Sequence, residues 1–129
     1  EGIRRVAVAN PKTAPYGKAA VEAMKNAGVY ERIKAKLVYA ESISQTVSYA
    51  LTAAQVGLIA KSSLYSSHMA AYKEGAHWAS VDPLLYTPIK QGVVLLKNGK
   101  SKAEYKAFYD FILSAQAKKI FKSYGYSAP

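Results

Sequence analysis

Serine, histidine and aspartate come first, because together they can make an activated nucleophile. Ser62, Ser63, Ser66 and Ser67 crowd His68. No G-x-S-x-G elbow frames any of these serines. The only aspartates are Asp82 and Asp110, and nothing in the sequence ties either to His68. The serine run therefore reads as the polar face of a helix. A metal centre is weaker still. His68 and His77 are the only histidines, cysteine is absent, and no acid pair has ligand spacing. Neither a Walker phosphate loop nor G-x-G-x-x-G occurs. Without a titratable cluster, the chain is expected not to be an enzyme and to hold no cofactor.

Two other places can bind without titrating. Pro15-Tyr16-Gly17 and Ser42-Ile43-Ser44 each stand where a helix should begin after a strand. A helix start presents unpaired backbone N–H groups and a positive dipole end, which together favour an anion. In an open α/β sheet such starts lie beyond the carboxyl ends of the strands, where ligands bind. Every βα turn has such N–H groups, and most meet only water.

The elements that must position them follow from periodicity. Ile3 to Ala9 reads as a strand, with Val6 and Val8 on one face, and Asn10-Pro11 breaks it. Pro15 opens a helix at a tolerated first-turn position. Ala20, Val21, Met24 and Ala27 recur at helical spacing, and Gly28 stops the run. Leu37 to Ala40 is a second strand. Glu41-Ser42 leads into a helix with Ile43, Val47, Ala50, Leu51 and Ala54 on one stripe. Val56 to Ala60 reads as a buried strand, Lys61 to Ala71 as a surface helix, and Gly92 to Leu96 as a further strand bounded by Asn98-Gly99. The segment 74–89 is ambiguous, with His77 to Val81 a candidate strand between turns. In the tail, Ser101 is expected to cap a helix with Tyr105, Phe108, Tyr109 and Ile112 on one face. Ser114 is expected to cap a second, carrying Ala117, Ile120 and Phe121 and ending near Gly125. Alternating strands and helices predict the α/β class with a parallel sheet.

Length and composition agree. The 129 residues suit one domain with a real core, 50% of them apolar and 20% charged. No apolar run approaches the roughly 18–20 residues of a membrane span. No basic and apolar leader opens the chain, as expected of a mature or trimmed protein. A strand begins almost at once. A parallel sheet can start that way, and so can a chain whose amino-terminal portion is missing. Lacking cysteine, the chain has no disulfide and no thiol nucleophile, which leaves the redox compartment open. The net charge is +10, from 18 Lys+Arg against 8 Asp+Glu. A nucleic-acid-binding or other anion-binding α/β domain is the alternative this charge allows, with Tyr105, Tyr109, Tyr124 and Tyr126 as stacking aromatics. The lysines are spread, however, with no block of like charge. Scattered charge favours solvated helix faces, and no nucleic-acid partner is expected.

One stretch of sequence is distinctive. Asn10-Pro11-Lys12-Thr13-Ala14-Pro15-Tyr16-Gly17-Lys18-Ala19-Ala20 closely resembles the signature of the periplasmic molybdate-binding proteins, the solute receptors of an ATP-driven importer. The resemblance continues in order through Lys36 to Gln45, Val56 to Ser62, Tyr86 to Leu95, Ala107 to Ile112 and Ile120 to Tyr126. It implies a type II periplasmic-binding fold, in which an oxyanion is clamped between two lobes by uncharged donors. Tyr16 would supply a backbone N–H and a phenolic O–H. Ile43 would supply a backbone N–H. No other contact to the metal oxyanion is carried over, and size would select molybdate or tungstate over sulfate.

Two departures accompany the resemblance. One branch of the family has a ligand-binding Tyr where this chain has Ala60, so Tyr16 would compensate. Family members are also much longer. Residues 1–97 match the second lobe, and residues 98–129 match the C-terminal helices that normally pack on the first. The chain is therefore expected to hold half a site, to bind molybdate weakly by itself, and to work in the periplasm, or outside the cell on a membrane anchor. Its implied partners are the oxyanion and the importer's membrane subunits. The apolar face of the terminal helices, left without the first lobe, predicts a homodimer that exchanges its C-terminal segment about Gly92–Leu96 and Asn98-Gly99.

Overall fold

Four consecutive residues organise the molecule. In the computed structural model, which describes residues 2–127, Val6–Ala9 form strand β1, and each is at most 4% exposed. A strand buried on both faces must have sheet neighbours for its backbone and cover on each side. β1 lies between β2 (Leu37–Ala40) and β3 (Val56–Leu58), both parallel to it, in the order β2-β1-β3. Val6 pairs with Leu37 and with Val56, and Ala9 pairs with Ala40.

Helix α1 (Pro15–Asn26) joins β1 to β2 through the short helix α2 (Tyr30–Ile33), and α3 (Ile43–Thr52) joins β2 to β3. The first crossover runs from the centre to one edge; the second returns past the centre to the other. Right-handed crossovers, the rule for parallel units, then place α1 and α3 on opposite faces. α1 starts with Pro15 in its first turn and ends on Gly28 at φ +68°. There the Gly28 N–H donates to Lys25 O and the Val29 N–H to Met24 O, a Schellman ending. The buried face of α1 is Gly17, Ala19, Ala20, Ala23 and Met24, all but the last small enough to let the helix lie close on β1. At Gly17 a side chain is excluded, because a Cβ there would overlap the Ala9 carbonyl.

Ser42 caps α3, its Oγ accepting from the Gln45 N–H at 3.1 Å. Gln45 Oε1 in turn accepts from the Glu41 N–H at 2.8 Å, a variant of the reciprocal capping box. The buried point of α3 is Thr46, not the expected stripe; Leu51 is largely exposed. A hydroxyl is tolerated there because Thr46 Oγ1 donates to Ser42 O at 2.8 Å. Residues 83–87 are tied to α1. Asn26 Nδ2 donates to Leu85 O at 2.9 Å, and Thr87 Oγ1 donates to Glu22 Oε1 at 2.8 Å.

The chain divides into two compact units, Glu1–Ile89 and Lys90–Pro129. The second contains α4 (Ala103–Ile112) and α5 (Ala115–Ser123). Ser114 caps α5 by accepting from the Ala117 N–H at 3.2 Å. α5 ends on Gly125 at φ +79°, where the Tyr126 N–H donates to Phe121 O and the two rings meet edge to face.

Several local expectations are corrected. Gly92–Leu96 forms no strand; Val94 is 77% and Leu96 71% exposed. β character is a request for a neighbour, and the described residues supply this run with none. β3 stops at Leu58 and is an exposed-edge strand, because the sheet ends there. Residues 61–71 make two 3-10 turns, Lys61–Tyr65 and Ser67–Met69, rather than one helix. His77 to Val81 contributes one bridge, between Glu74 and Trp78. α4 is preceded by Lys102, without a side-chain cap, so Ser101 is not its cap.

Gly17→Ala should destabilise the fold by about 1–3 kcal/mol despite alanine's better helix propensity, since a backbone carbonyl is what must move. Chemical denaturation measures it; an unchanged midpoint rejects the close approach. A second expectation concerns Glu22, whose carboxyl is held below its ordinary value by hydrogen bonding from Thr87, with Lys18 adding a smaller attraction. The contact is therefore present above the ordinary carboxyl range and lost as pH falls through the depressed value. Thr87→Val, which removes the hydroxyl and keeps the backbone N–H that contributes most, should return the Glu22 titration, followed by NMR, part of the way toward its ordinary position. An unchanged midpoint counts against the contact.

Candidate functional site

Parallel strands deliver their chain ends to one edge of the sheet, and both expected donors are there. Ala9 and Ala40 are register partners at the carboxyl ends of β1 and β2, and the chain beyond each leads to a helix start. Tyr16 is the second residue of α1 and is half-buried. Pro15 before it has no N–H. Gly17 and Lys18 both direct theirs to Ala14 O, at 3.0 and 3.1 Å. Ile43 is the first residue of α3. Among the described residues, neither the Ile43 nor the Ser44 N–H has a hydrogen-bond partner, whereas Gln45 and Thr46 bond to Ser42. The Ser44 amide was not singled out from sequence. The signal for it was present, since the Ser42-x-x-Gln45 cap assigns Ser44 to the unpaired first turn.

The electrostatics suit an anion. Neither α1 nor α3 has an acidic residue in its first turn, and the residue preceding α1 is Ala14, without a side-chain cap. No first-turn carboxylate and no side-chain cap therefore offset the positive end of α1. One carboxylate is near, that of Glu41, and it accepts a hydrogen bond from Asn10 Nδ2 at 3.3 Å. Ala60, just beyond β3, is buried and offers no side-chain donor.

Other candidates lose chemical interest. His77 Nδ1 accepts from the Lys73 N–H at 3.0 Å and its ring meets Tyr72 edge to face, so it organises a loop. No group of three or more His, Cys, Asp or Glu able to hold a metal ion occurs among the described residues. An apolar hollow of about 520 Å³ lies among Ile3, Val6, Met24, Val29, Val56 and Leu58. It sits toward the amino ends of β1 and β3, away from the helix starts; Arg32 and Lys36 also line it, but its surface is mostly apolar.

The family model described as "Bacterial extracellular solute-binding protein" matches residues 1–127. The chain is 45% identical over 125 residues to the molybdate-binding protein ModA of Rhodobacter capsulatus, covering 96% of this chain and 47% of that one. It is 37% identical to the ModA protein of Azotobacter vinelandii, covering 96% of this chain and 48% of that one. The structure superposes on the periplasmic molybdate-binding protein of Azotobacter vinelandii with a TM-score of 0.83 at 32% identity, over 100% of this chain and 56% of that one. The chain spans about half the length of these relatives. The nucleic-acid alternative finds no favour among them. Matched from residue 1 to residue 127, and built as one lobe of a type II periplasmic-binding fold, the chain belongs to the bacterial extracellular solute-binding protein family.

Proposed function

We propose that this chain is the second lobe, with the C-terminal helices, of a periplasmic receptor that binds molybdate or tungstate and passes it to an ATP-driven membrane importer. The observation that carries the reading is that two relatives matched over 96% of the chain are molybdate-binding proteins, while the two expected donor positions, Tyr16 and Ile43, stand at helix starts on one sheet edge. Tyr16 gives its N–H and phenol, and Ile43 its N–H. The phenol takes the place of the side-chain donor that Ala60 lacks. Neutral dipoles suit this cargo. They hold a dianion firmly without a counter-charge that would hinder its release. No bond of the oxyanion is broken, so the protein binds and delivers and catalyses nothing. The remaining donors belong to a first lobe outside this chain, on which α4 and α5 would pack.

Ile43→Pro tests the donor without removing the helix. Proline is suited to the first helical position, and Ser42 before it already has the extended backbone that proline requires (φ −142°, ψ 162°). In the full-length polypeptide, losing this N–H should cost about 1.5–3 kcal/mol of molybdate affinity in a calorimetric titration. Ile43→Ala, which keeps the N–H, should bind nearly as the wild type. Equal affinity for Ile43→Pro and wild type rejects the assignment.

The 129-residue chain by itself exposes Tyr105, Phe108, Leu113 and Ile120 on α4, α5 and the two-residue link between them. Water is a poor partner for so many apolar side chains close together. The isolated chain should therefore form a homodimer by exchange of its C-terminal segment. Light scattering at micromolar concentration should give twice the chain mass, and a monomer mass refutes the exchange.

A further inference from the structure

We propose that Asn10 is a positioning residue that ties the two donor loops into one anion site. The inference rests on the molybdate reading above and extends it to a residue that touches no ligand there. Asn10 is the first residue after β1, and five of its polar groups' contacts hold the two loops. Its N–H donates across the strand ends to Ala40 O at 2.7 Å. Its carbonyl accepts from the Thr13 and Ala14 N–H groups, at 3.2 and 2.8 Å, and so turns the chain toward α1. Its Oδ1 accepts from the Lys12 N–H at 3.0 Å. That bond fixes which end of the amide is oxygen, and leaves Nδ2 pointing the other way. Nδ2 donates to Glu41 Oε1 at 3.3 Å.

Glu41 belongs to the second loop. Its own N–H donates to Gln45 Oε1 at 2.8 Å, and Gln45 closes the Ser42 cap of α3. One side chain therefore spans from the turn that places Tyr16 to the cap that places Ile43 and Ser44. Asparagine suits this place because it has an acceptor for one loop and a donor for the other. Aspartate would set two carboxylates against each other, and serine is too short to do both. Glu41 also gains a reason to be there. A carboxylate beside an oxyanion site should weaken binding by repulsion. Held by Asn10, it instead serves as the anchor of the second loop.

Simple electrostatics and the clasp predict opposite results. Titrations use the full-length polypeptide and molybdate. The clasp predicts that Asn10→Ala, which changes no charge, weakens binding about tenfold, as loss of a coupled hydrogen-bond pair would. Glu41→Ala should also weaken binding although it removes a negative charge, and the double variant should be no weaker than Asn10→Ala. Glu41 is exposed, so its variant keeps the test available where Asn10→Ala does not fold. Hydrogen exchange without ligand supplies the second readout. Asn10→Ala should speed exchange of the Glu41 and Gln45 amides, in the other loop, with the β1 amides unchanged. Tighter binding by Glu41→Ala, additive losses in the double variant, or unaltered Glu41 and Gln45 exchange each overturn the clasp. Wild-type protein that ignores molybdate, with the exchange coupling intact, overturns the functional reading and leaves the coupling standing.

Discussion

The parallel pairing of β1 with both neighbours is the constraint on which the rest depends. Val6–Ala9 have no exposed face, so each backbone N–H and C=O must be satisfied inside the sheet. Parallel pairing forces a crossover after each strand, and a crossover forces a helix start at the carboxyl edge. The gathering of two helix starts at that edge thus follows from the topology, before any side chain is chosen. What the sequence adds is restraint. Gly17 lets α1 come down on the Ala9 carbonyl, Ala14 and Pro15 leave the helix end uncapped by any side chain, and no acid enters either first turn. The dianion receptor proposed above requires these omissions as much as it requires donors.

Much of the first unit was legible because its signals are local. Pro15 and Gly28 bracket α1 within a residue or two, and Ser42 with Gln45 announces the start of α3. β1 and β2 are short apolar runs closed by Asn10-Pro11 and Glu41-Ser42. The motif around Tyr16 led further, to the family, while composition and charge left several functions open. Gly92–Leu96 was misread for a nonlocal reason. Its residues favour a strand, and a strand exists only where another strand accepts it. Thr46 was missed because a polar residue at the buried point of a helix breaks the apolar pattern; its hydroxyl returns to Ser42 O, which no periodicity shows. The same holds for Asn10. In sequence it is half of a chain-breaking Asn-Pro pair, and its link to Glu41 appears only when β1 and β2 are laid side by side.

The second unit shows how far a sequence can specify structure without specifying a fold. α4 and α5 form from their own signals: a Lys106–Asp110 ion pair at 2.7 Å, the Ser114 cap, and the Gly125 ending with Phe121 against Tyr126. Yet Phe108 remains 65% exposed. Helices obey local rules, but an apolar face is satisfied only by a partner surface.

The central claim is that the carboxyl edge of this sheet, and not its lysines, receives the oxyanion. Amide chemical shifts of the 129-residue chain, followed while molybdate is raised through the millimolar range, test it residue by residue. The account predicts shifts concentrated at Tyr16, Ile43, Ser44 and their immediate neighbours, little changed by added salt. Shifts centred instead on Lys118, Lys119 and Lys122 of α5, and abolished by salt, would contradict it.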